Sequence, residues 1–390
     1  MSPNKKRILV FIDWFYPAYK AGGPVKSVFN LIKGLEHAFQ FHLVCSNHDI
    51  DGDQLDVPTN QWTQFDGIRV LYLSKDKQTK QKFHEIFKNI NPEVVYYNSL
   101  FSKNFTLKPL LSYRKFQVSH LIAPRGMFGK ASLSIKPLKK KLFLFLAKQL
   151  IFKSSHIHWH ATSQQEAKDI EHNLGPQASV NLSRNLAAPI LERTNENIIK
   201  RKGELRLVYI SRIVPIKNLD FFIDLLYKMQ NASIYFDIYG PIEDSEYWEA
   251  CLTKVKQTPS VRYCGELEPS QVRSKVQEYH FSVLPTKHEN FGNSIVESWL
   301  SGVPVIISNQ TPWRGLKEKQ IGVDLPIKNI KDWQKTIQHF SELNQTSYSA
   351  MTDACVTFAK KVLHESSVLK NNETLFQTAI GRSKELKKSS

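Results

Sequence analysis

The sequence predicts an α/β protein made of two Rossmann-like, doubly wound domains, and three observations lead to this prediction. A chain of 390 residues is long enough to build two hydrophobic cores. Short apolar runs alternate with stretches of helical spacing, which is typical of mostly parallel sheets covered by helices. The alternation begins twice, once near Arg7 and again near Leu205.

The domain boundary is placed in the polar segment of residues 192–204, which has no strong periodicity and is predicted to be a linker. We therefore expect a first domain over residues 1–190 and a second over residues 191–364. A C-terminal helix at about residues 365–385 is expected to rejoin the first domain, and residues 383–390 are expected to be frayed.

Each half opens with a strand, a loop and a helix. In the first half these are the apolar run 8–12, a turn at Gly22 and Gly23, and helical spacing over residues 25–35. In the second half they are residues 205–210, a basic loop and a helix over 219–229. Further strands are predicted at residues 41–45, 68–73, 94–97, 118–123, 233–239, 261–264, 281–284 and 303–307.

Composition narrows the class of protein. Hydrophobic residues make up 41% of the chain and charged residues 23%, as in ordinary globular proteins. The four cysteines show no CxxC spacing, which argues against a zinc site and a disulfide framework and favours a reducing compartment. No apolar run reaches the roughly 18 residues of a membrane span, and Asp13 ends the first apolar run too early for a signal peptide. We expect a cytoplasmic protein.

The formal net charge of +17 indicates a polyanionic partner, which could be nucleic acid, an anionic membrane face or a phosphorylated substrate. Nucleic-acid binding would need basic residues interleaved with aromatic ones, or a recognised module. The sequence has neither, so we expect no nucleic acid partner.

Residues 281–308 form the most informative segment. A strand is predicted to end at Leu284, and a loop then leads to a helix that begins near Asn293 or Ser294. Ligands of open α/β sheets bind outside the carboxyl ends of the strands, where this loop lies. Glu289 in the loop and Glu297 in the helix could therefore both meet a ligand, and the first helical amides could face a phosphate.

The spacing of Glu289 and Glu297, with Phe291 and Gly292 between them, resembles the E-x7-E signature of the group 1 retaining glycosyltransferases. The resemblance implies the GT-B type of fold, with two Rossmann-like domains that face each other across a cleft. It implies that Glu289 contacts the donor sugar and that Glu297 holds the ribose hydroxyls, tasks that suit a carboxylate. The donor-binding set that it implies also includes Asn290, Phe291, Gly292, Asn293 and Ser294.

Residues 209–220 resemble the stretch of the same family in which an arginine and a lysine clamp the donor diphosphate. These would be Arg212 and Lys217, because cations there stabilise the charge that builds on the departing diphosphate. The glycine that usually follows the lysine is Asn218 in this chain.

Two features of the first half extend the resemblance. Gly22 and Gly23 fit the glycine pair that lies near the acceptor and the donor phosphates in the family, since glycine lets a backbone come close to a ligand. The family's histidine beside the reacting sugar is missing, and Arg125 stands in the corresponding Pro-Arg-Gly-Met segment. Arg125 could hold a donor or acceptor oxygen but cannot act as a base. The catalytic residues that the resemblance implies are therefore Glu289, Arg212, Lys217 and Arg125. For His156, His158 and His160, which alternate along a predicted strand, we expect a structural or surface role.

The resemblance implies a metal-independent hexosyltransferase reaction with retention, in which a UDP-, GDP- or ADP-sugar donates to a glycan or lipid-linked acceptor during surface polysaccharide synthesis. No cofactor is expected, and no DxD-like metal motif stands near the implied site. Three alternatives remain open: a nucleotide-sugar epimerase on the same fold, a basic nucleic-acid-binding protein and a non-catalytic glycan-binding protein.

Residues 136–153 are both basic and strongly apolar, and they permit two interpretations. One is a helix that lies on an anionic membrane surface, which would make the protein peripheral at the inner face of the membrane. The other is a buried helix whose lysines reach solvent at its ends.

Overall fold

The computed structural model describes residues 5–113, 115–134, 137–152, 156–187, 198–363 and 366–388. The chain divides into two compact units, of which the first comprises Met1–Leu186 and Ser366–Ser390 and the second Ala187–Glu365. Part of the predicted linker, residues 192–197, lies outside the described residues. Its described end is anchored to the second unit, because the buried Lys200 donates to the carbonyl oxygens of Arg201 and Ser341 at 2.7 Å each.

The first unit is built on an eight-stranded sheet in the order β3-β4-β2-β1-β5-β6-β7-β8, in which every neighbouring pair is parallel except β3 with β4. The strands are β1 Lys6–Phe11, β2 Phe39–Ser46, β3 Trp62–Phe65, β4 Ile68–Leu73, β5 Val94–Tyr97, β6 Ser119–Ile122, β7 Ile157–Ala161 and β8 Val180–Leu182. The helices that follow the strands are α1 Gly23–Leu35, α2 Lys80–Ile90, α3 Lys108–Tyr113, α4 Lys130–Leu133, α5 Pro137–Leu150 and α6 Gln164–Leu174.

Local chemistry sets the ends of these helices. Pro24 stands in the first turn of α1, where its missing N–H costs no hydrogen bond. Ser163 caps α6, since its Oγ accepts from the backbone N–H of Glu166 at 3.1 Å. Asn91 ends α2 in the left-handed conformation with φ 47°.

The second unit is built on a six-stranded, all-parallel sheet in the order β11-β10-β9-β12-β13-β14. Its strands are β9 Leu205–Ile210, β10 Ile234–Tyr239, β11 Val261–Tyr263, β12 Phe281–Leu284, β13 Val305–Ser308 and β14 Gly322–Leu325. Its helices are α7 Leu219–Met229, α8 Ser245–Lys256, α9 Val272–Val276, α10 Asn293–Leu300, α11 Ile330–Ser341 and α12 Gln345–Leu363. One hydrophobic core, which includes Trp299, Trp333 and Tyr348, packs the helices onto this sheet.

The C-terminal helix α13, Ser366–Lys388, packs on the first unit against α1, β5 and β6. The expectation of a frayed end from residue 383 is wrong for residues 383–388. Ser383 is buried, and its Oγ accepts from the backbone N–H of Ser119 at 2.7 Å and donates to the carbonyl oxygen of Glu93 at 2.7 Å. These bonds satisfy backbone groups of the first sheet, which gives the helix end a fixed place.

Both units are α/β domains built on mostly or wholly parallel sheets, so the predicted fold class is confirmed. In such sheets the carboxyl ends of all parallel strands lie along one edge, and the loops that follow the strands gather there. This edge positions the predicted site residues of each unit. Among the described residues, no helix is both long and apolar enough to cross a membrane.

Candidate functional site

The basic loop of the second unit, residues 211–218, follows β9 and ends at the residue before α7. Asn218 closes it in the left-handed conformation with φ 59°, which explains the departure from glycine, because asparagine tolerates this region better than most residues. Its Nδ2 also donates to the carbonyl oxygen of Pro285 at 3.0 Å, which ties the loop to the segment after β12.

The acidic loop, residues 285–292, follows β12 and lies against the basic loop. The backbone N–H of Lys287 donates to the carbonyl oxygen of Ile216 at 2.8 Å. On its other side, the N–H of Glu289 donates to the carbonyl oxygen of Gln310 at 2.9 Å, just beyond β13. Backbone bonds thus fix the position of Glu289 from two neighbouring strand ends.

Lys217 and Glu289, two of the predicted catalytic residues, form an ion pair in which the side chains are 13% and 15% exposed. Burial acts to raise the pKa of Glu289, but the charge of Lys217 and its hydrogen bond outweigh burial and hold this pKa below its usual value. The charge of Arg212 lowers the pKa of Glu289 further. The structure therefore brings Arg212, Lys217 and Glu289 into one electrostatic group.

Arg212 is also held by a residue that the sequence analysis missed. Its guanidinium forms an ion pair with Glu243, which follows β10. Its carbonyl oxygen accepts from the hydroxyl of the buried Tyr209 at 2.9 Å. Glu243 belongs to no recognised sequence motif. It lies at this edge because β10, which precedes it, pairs in parallel with β9.

The first turn of α10 begins at the predicted donor-binding residues. Gly292 has φ 81° and caps the helix, and a Cβ there would lie 2.7 Å from Cδ1 of Ile295 and 3.2 Å from Cγ of Glu289. Phe291 is buried, and its carbonyl oxygen accepts from Nε1 of Trp313 at 2.6 Å. Asn290 precedes this turn, while Asn293 and Ser294 open the helix, whose positive end faces the same edge.

Glu297 lies on α10, within the same strand-loop-helix unit as Glu289, and is 9% exposed. The carboxylate of Glu297 interacts electrostatically with Arg273 of α9. Burial lowers the pKa of Arg273, and the negative charge of Glu297 acts to raise it. Arg273 also donates to the carbonyl oxygen of Leu300 at 3.3 Å, so it joins α9 to the end of α10. Arg273 belongs to none of the motifs that the sequence showed.

In the first unit, Gly22 and Gly23 stand where the loop after β1 meets helix α1. Gly22 has φ 73° and stands just before α1, and Gly23 is the first residue of that helix. The neighbouring Lys20 forms ion pairs with Asp51 and Asp53 after β2. The glycine pair therefore occupies the carboxyl edge of the first sheet.

Arg125 follows β6 at the same edge, in the left-handed conformation with φ 56°. It donates from Nη1 to Oδ1 of Asn185 at 2.7 Å, and from Nη2 to Oδ1 of Asn98 at 2.6 Å and to the hydroxyl of Tyr96 at 3.1 Å. Asn98 and Asn185 follow β5 and β8, and sequence reasoning missed both.

Two of the three alternating histidines, His158 and His160, are buried on β7. Burial, aided by the charge of Arg125, lowers the pKa of His160 to about 3, although the Ser183 carbonyl opposes this shift. His160 is hydrogen-bonded through Nδ1 to the Tyr96 hydroxyl, and Nδ1 of His158 lies 2.6 Å from Nη1 of Arg382. These contacts agree with a structural role. No group of three His, Cys, Asp or Glu residues in the described ranges could hold a metal ion.

Two cavities lie away from these residues, at the amino ends of the strands. One of about 620 Å³ in the first unit is lined by residues that include Phe39, Gln40 and Arg69. The other, of about 440 Å³, lies in the second unit beside Arg206, Tyr235 and Arg262. Neither cavity contains a predicted site residue. The candidate sites are placed at the carboxyl edges of the sheets because the loops and charged side chains described above meet there.

Relatives of known sequence match parts of the chain. An uncharacterized 41.2 kDa protein in the cps region of Klebsiella pneumoniae is 22% identical over 189 residues, which are 48% of this chain and 50% of that protein. The 2-deoxystreptamine N-acetyl-D-glucosaminyltransferase of Niallia circulans is 23% identical over 133 residues, 34% of this chain and 33% of the enzyme. The chain thus matches half or less of the length of these relatives.

Solved structures match almost the whole chain. The sucrose-phosphate synthase of Thermosynechococcus elongatus superimposes with a TM-score of 0.72 at 14% identity, over 97% of this chain and 100% of the other. HepE of Anabaena, in complex with UDP and glucose, superimposes with a TM-score of 0.68 at 13% identity, over 96% and 99%. These likenesses show that the fold is that of GT-B glycosyltransferases.

Within the second unit, residues 204–342 match the sequence model of the family described as glycosyl transferases group 1. The match spans β9 to α11 and so contains the basic loop, the acidic loop and α10. Residues 204–342 therefore match the group 1 glycosyltransferases in sequence, and the GT-B fold of the whole chain agrees with this match.

Proposed function

We propose that the chain is a retaining, metal-independent glycosyltransferase that moves a hexose from a nucleotide-diphosphate sugar to a glycan or lipid-linked acceptor. The observation that carries the proposal is the group formed by Arg212, Lys217 and Glu289 at the carboxyl edge of the second sheet. Two cations, each paired with a carboxylate, are fixed at this edge, and they suit a ligand that presents a diphosphate beside a sugar.

The donor is assigned to the second unit. Arg212 and Lys217 face the diphosphate, Glu289 accepts hydrogen bonds from the sugar hydroxyls, and Glu297 accepts those of the ribose. The start of α10 adds its positive end and the backbone of Gly292. A UDP-sugar is the first donor to try, because the structurally similar HepE was solved with UDP and glucose.

The reaction follows a same-face course. As the bond between the anomeric carbon and the diphosphate breaks, the electron pair passes to the diphosphate oxygen. The acceptor oxygen forms its bond to the same face of that carbon and gives its proton to the departing diphosphate. Arg212 and Lys217 stabilise the negative charge at the moment it develops. The first unit binds and presents the acceptor.

Thermal shifts with UDP, GDP and ADP test the donor assignment, since a ligand that binds only the folded chain raises Tm. We expect one of the three to raise the Tm of the chain and to lose this effect in Arg212→Ala/Lys217→Ala. Lys328→Ala/Lys331→Ala is the matched control, because it removes two exposed cations of the same unit. A shift that persists in the first variant, or the absence of any shift, would contradict the assignment.

A peripheral location at an anionic membrane is also proposed, on the basis of α5. Leu138, Leu142, Phe145 and Leu146 are 83%, 61%, 63% and 46% exposed, although each is large and apolar. They recur at intervals of four, three and one residues, which places them on one face of the helix. Apolar faces of this kind on soluble proteins mark interaction sites.

The opposite side of α5 explains why the helix stays attached to the first unit. Ala147 is buried and Phe143 and Leu144 pack against the core. Lys140 donates to the carbonyl oxygen of Ser132 at 2.6 Å and lies over the ring of Phe101. The buried-helix interpretation therefore holds for one face only, and residues 136 and 153 of the predicted basic stretch lie outside the described residues.

Charge supports anionic lipid as the partner of the exposed face. Residues 137–150 contain four lysines and no acidic residue, and Lys139 and Lys141 are exposed beside the apolar stripe. Each lysine near an anionic surface is worth about 1 kcal/mol, so neutralising both should weaken binding by roughly 30-fold.

Co-sedimentation with phosphatidylcholine vesicles, with and without phosphatidylglycerol, measures binding of the protein to anionic lipid. We expect binding only with phosphatidylglycerol, a large loss in Lys139→Gln/Lys141→Gln and in Phe145→Asn, and no loss in the controls Lys328→Gln/Lys331→Gln and Ile330→Asn. Equal binding of all variants would overturn the proposal, as would a concentration-dependent dimer that Phe145→Asn abolishes, because a second copy would then cover the stripe.

A further inference from the structure

The Arg125 guanidinium is hydrogen-bonded to uncharged side chains. The hydrogen-bond acceptors of its guanidinium are the amide oxygens of Asn98 and Asn185 and the hydroxyl of Tyr96. These three bonds fix the orientation of the guanidinium but add no negative charge. Among the described residues, three of its five N–H donors have an acceptor, and Nε–H and one Nη1 proton have none.

The hydrogen bonds of His160 determine whether the Tyr96 hydroxyl donates to or accepts from its neighbours. His160 lies between the Ser183 carbonyl, 2.8 Å from its Nε2, and the Tyr96 hydroxyl, 2.8 Å from its Nδ1. Because a carbonyl can only accept, Nε2 carries the proton, and Nδ1 then accepts from Tyr96. The Tyr96 oxygen is left to accept from Arg125, and burial keeps both His160 and Tyr96 uncharged.

The Glu166 carboxylate, on the neighbouring helix α6, is hydrogen-bonded to the backbone rather than to the Arg125 guanidinium. Glu166 on α6 accepts from the backbone N–H of Gly126 at 2.6 Å and from the N–H and the hydroxyl of Thr162 at 2.7 and 2.8 Å. These bonds hold it behind the turn that carries Arg125. A partly buried cation fixed by neutral oxygens is favourable for an incoming anion, because the attraction is strong at low dielectric and little rearrangement is needed.

The place of Arg125 in the fold is that of a ligand-binding residue. It stands at the carboxyl edge of the first sheet, between the ends of β5, β6 and β8, where ligands of α/β sheets bind. Its positive φ of 56° is costly for a residue with a side chain. Asn185, which gives its oxygen to Arg125, also carries an amide NH₂ group that can donate to the same ligand.

We infer that Arg125, Asn98 and Asn185 form a binding site for an oxyanion, a phosphate or a carboxylate, carried by the acceptor. The inference rests on the proposed function for the identity of the ligand as the acceptor, and it names the chemical class of that substrate. The acceptor is an anionic glycan or a phosphate-bearing lipid, and Arg125 is its anchoring residue rather than a proton-transfer group.

Asn185→Asp gives the sharpest test. It places a carboxylate of almost unchanged shape against the guanidinium, so that the protein supplies its own counter-ion and the ligand is repelled. Asn181→Asp, on β8 of the same unit, makes the same chemical change away from Arg125 and is the matched control. The new ion pair should keep or raise the Tm of Asn185→Asp.

The probes are methyl phosphate, followed by broadening of its ³¹P line, and glucuronate, followed by saturation transfer, each with the full chain saturated with UDP. We expect at least one probe to bind, with its Kd raised roughly tenfold or more in Asn185→Asp and in Arg125→Gln and unchanged in Asn181→Asp. The probe that binds identifies a phosphate-bearing or a carboxylate-bearing acceptor.

Two failures can be told apart. If UDP raises Tm but neither probe binds, or both bind Asn185→Asp as tightly as the unaltered chain, the oxyanion site is wrong and the proposed function stands. If UDP, GDP and ADP all fail to raise Tm, the proposed function itself is contradicted.

Discussion

At the scale of residues, the candidate donor site depends on a pair of charges that are partly removed from water. Lys217 and Glu289 are 13% and 15% exposed, and each offsets the desolvation of the other. When one partner of such a pair is removed, the remaining charge is left without compensation. Loss of one residue should therefore be more costly than loss of both.

A double-mutant cycle tests this dependence. We expect Lys217→Met to lower the free energy of unfolding by about 2–4 kcal/mol, because Glu289 is left unpaired, and Lys217→Met/Glu289→Gln to recover part of that loss. Urea unfolding of both single variants and the double variant measures the coupling. If the effects of the two substitutions simply add, the pair contributes nothing as a pair.

Motif spacing predicted some of the residues that meet at this edge but not the residues that hold them. Arg212, Lys217 and Glu289 stand at fixed distances from strand ends, so the sequence alone suggested them. Glu243 and Arg273 meet the site only through strand order and helix packing, and no local pattern marks them. Asn98 and Asn185 were missed for the same reason, because their shared partner is 27 and 60 residues away.

At the scale of elements, the central strands were predictable because they are continuous apolar runs. The strands that were missed are short or at an edge: β3, β8 and β14 have four, three and four residues. The sequence left α5 undecided because its apolar residues surround the helix. Packing divides them into a buried face with Ala147 and an exposed face with Leu138 and Leu142.

The close contact between β10 and the basic loop is a testable property of these elements. A Cβ on Gly240 would lie 2.0 Å from the carbonyl oxygen of Ser211, so Gly240→Ala must displace the backbone beside Arg212. We expect a loss of at least about 3 kcal/mol in the free energy of unfolding and weakened nucleotide binding.

Gly203→Ala is the control for this substitution. Gly203 also has a positive φ, of 82°, but a Cβ there meets nothing within 4 Å, so only backbone strain of about 1 kcal/mol should appear. Equal losses for the two variants in urea unfolding would show that the contact with Ser211 does not matter.

At the scale of the whole molecule, buried histidines are concentrated in the first unit. Burial is the main cause that lowers the pKa of His42 and His158 to about 4 and that of His120 and His160 to about 3. In the second unit it lowers the pKa of His280 to about 4. These imidazoles stay uncharged in the folded protein down to about pH 4, whereas in the unfolded chain they take up protons near pH 6.5.

Acid should therefore destabilise the protein before its carboxylates titrate. Between about pH 6.5 and pH 4 the unfolded chain binds more protons, so each such histidine lowers the free energy of unfolding by about 1.4 kcal/mol per pH unit as the pH falls. Thermal unfolding at pH 7.5 and 5.5 should show a fall in Tm that is smaller in His160→Gln. The exposed His37→Gln is the control. An identical pH dependence in all three proteins would contradict this account.

The central claim is that the second unit binds the donor of a retaining transfer reaction through Arg212, Lys217 and Glu289. The most direct measurement is ¹H NMR of the products formed from an α-linked UDP-sugar with and without an anionic glycan or lipid-phosphate acceptor, for the unaltered chain and for Lys217→Ala. The account predicts an α-linked product that forms only with acceptor and only with Lys217 in place. An epimerised nucleotide sugar without acceptor, a β-linked product, or full activity of Lys217→Ala would contradict it.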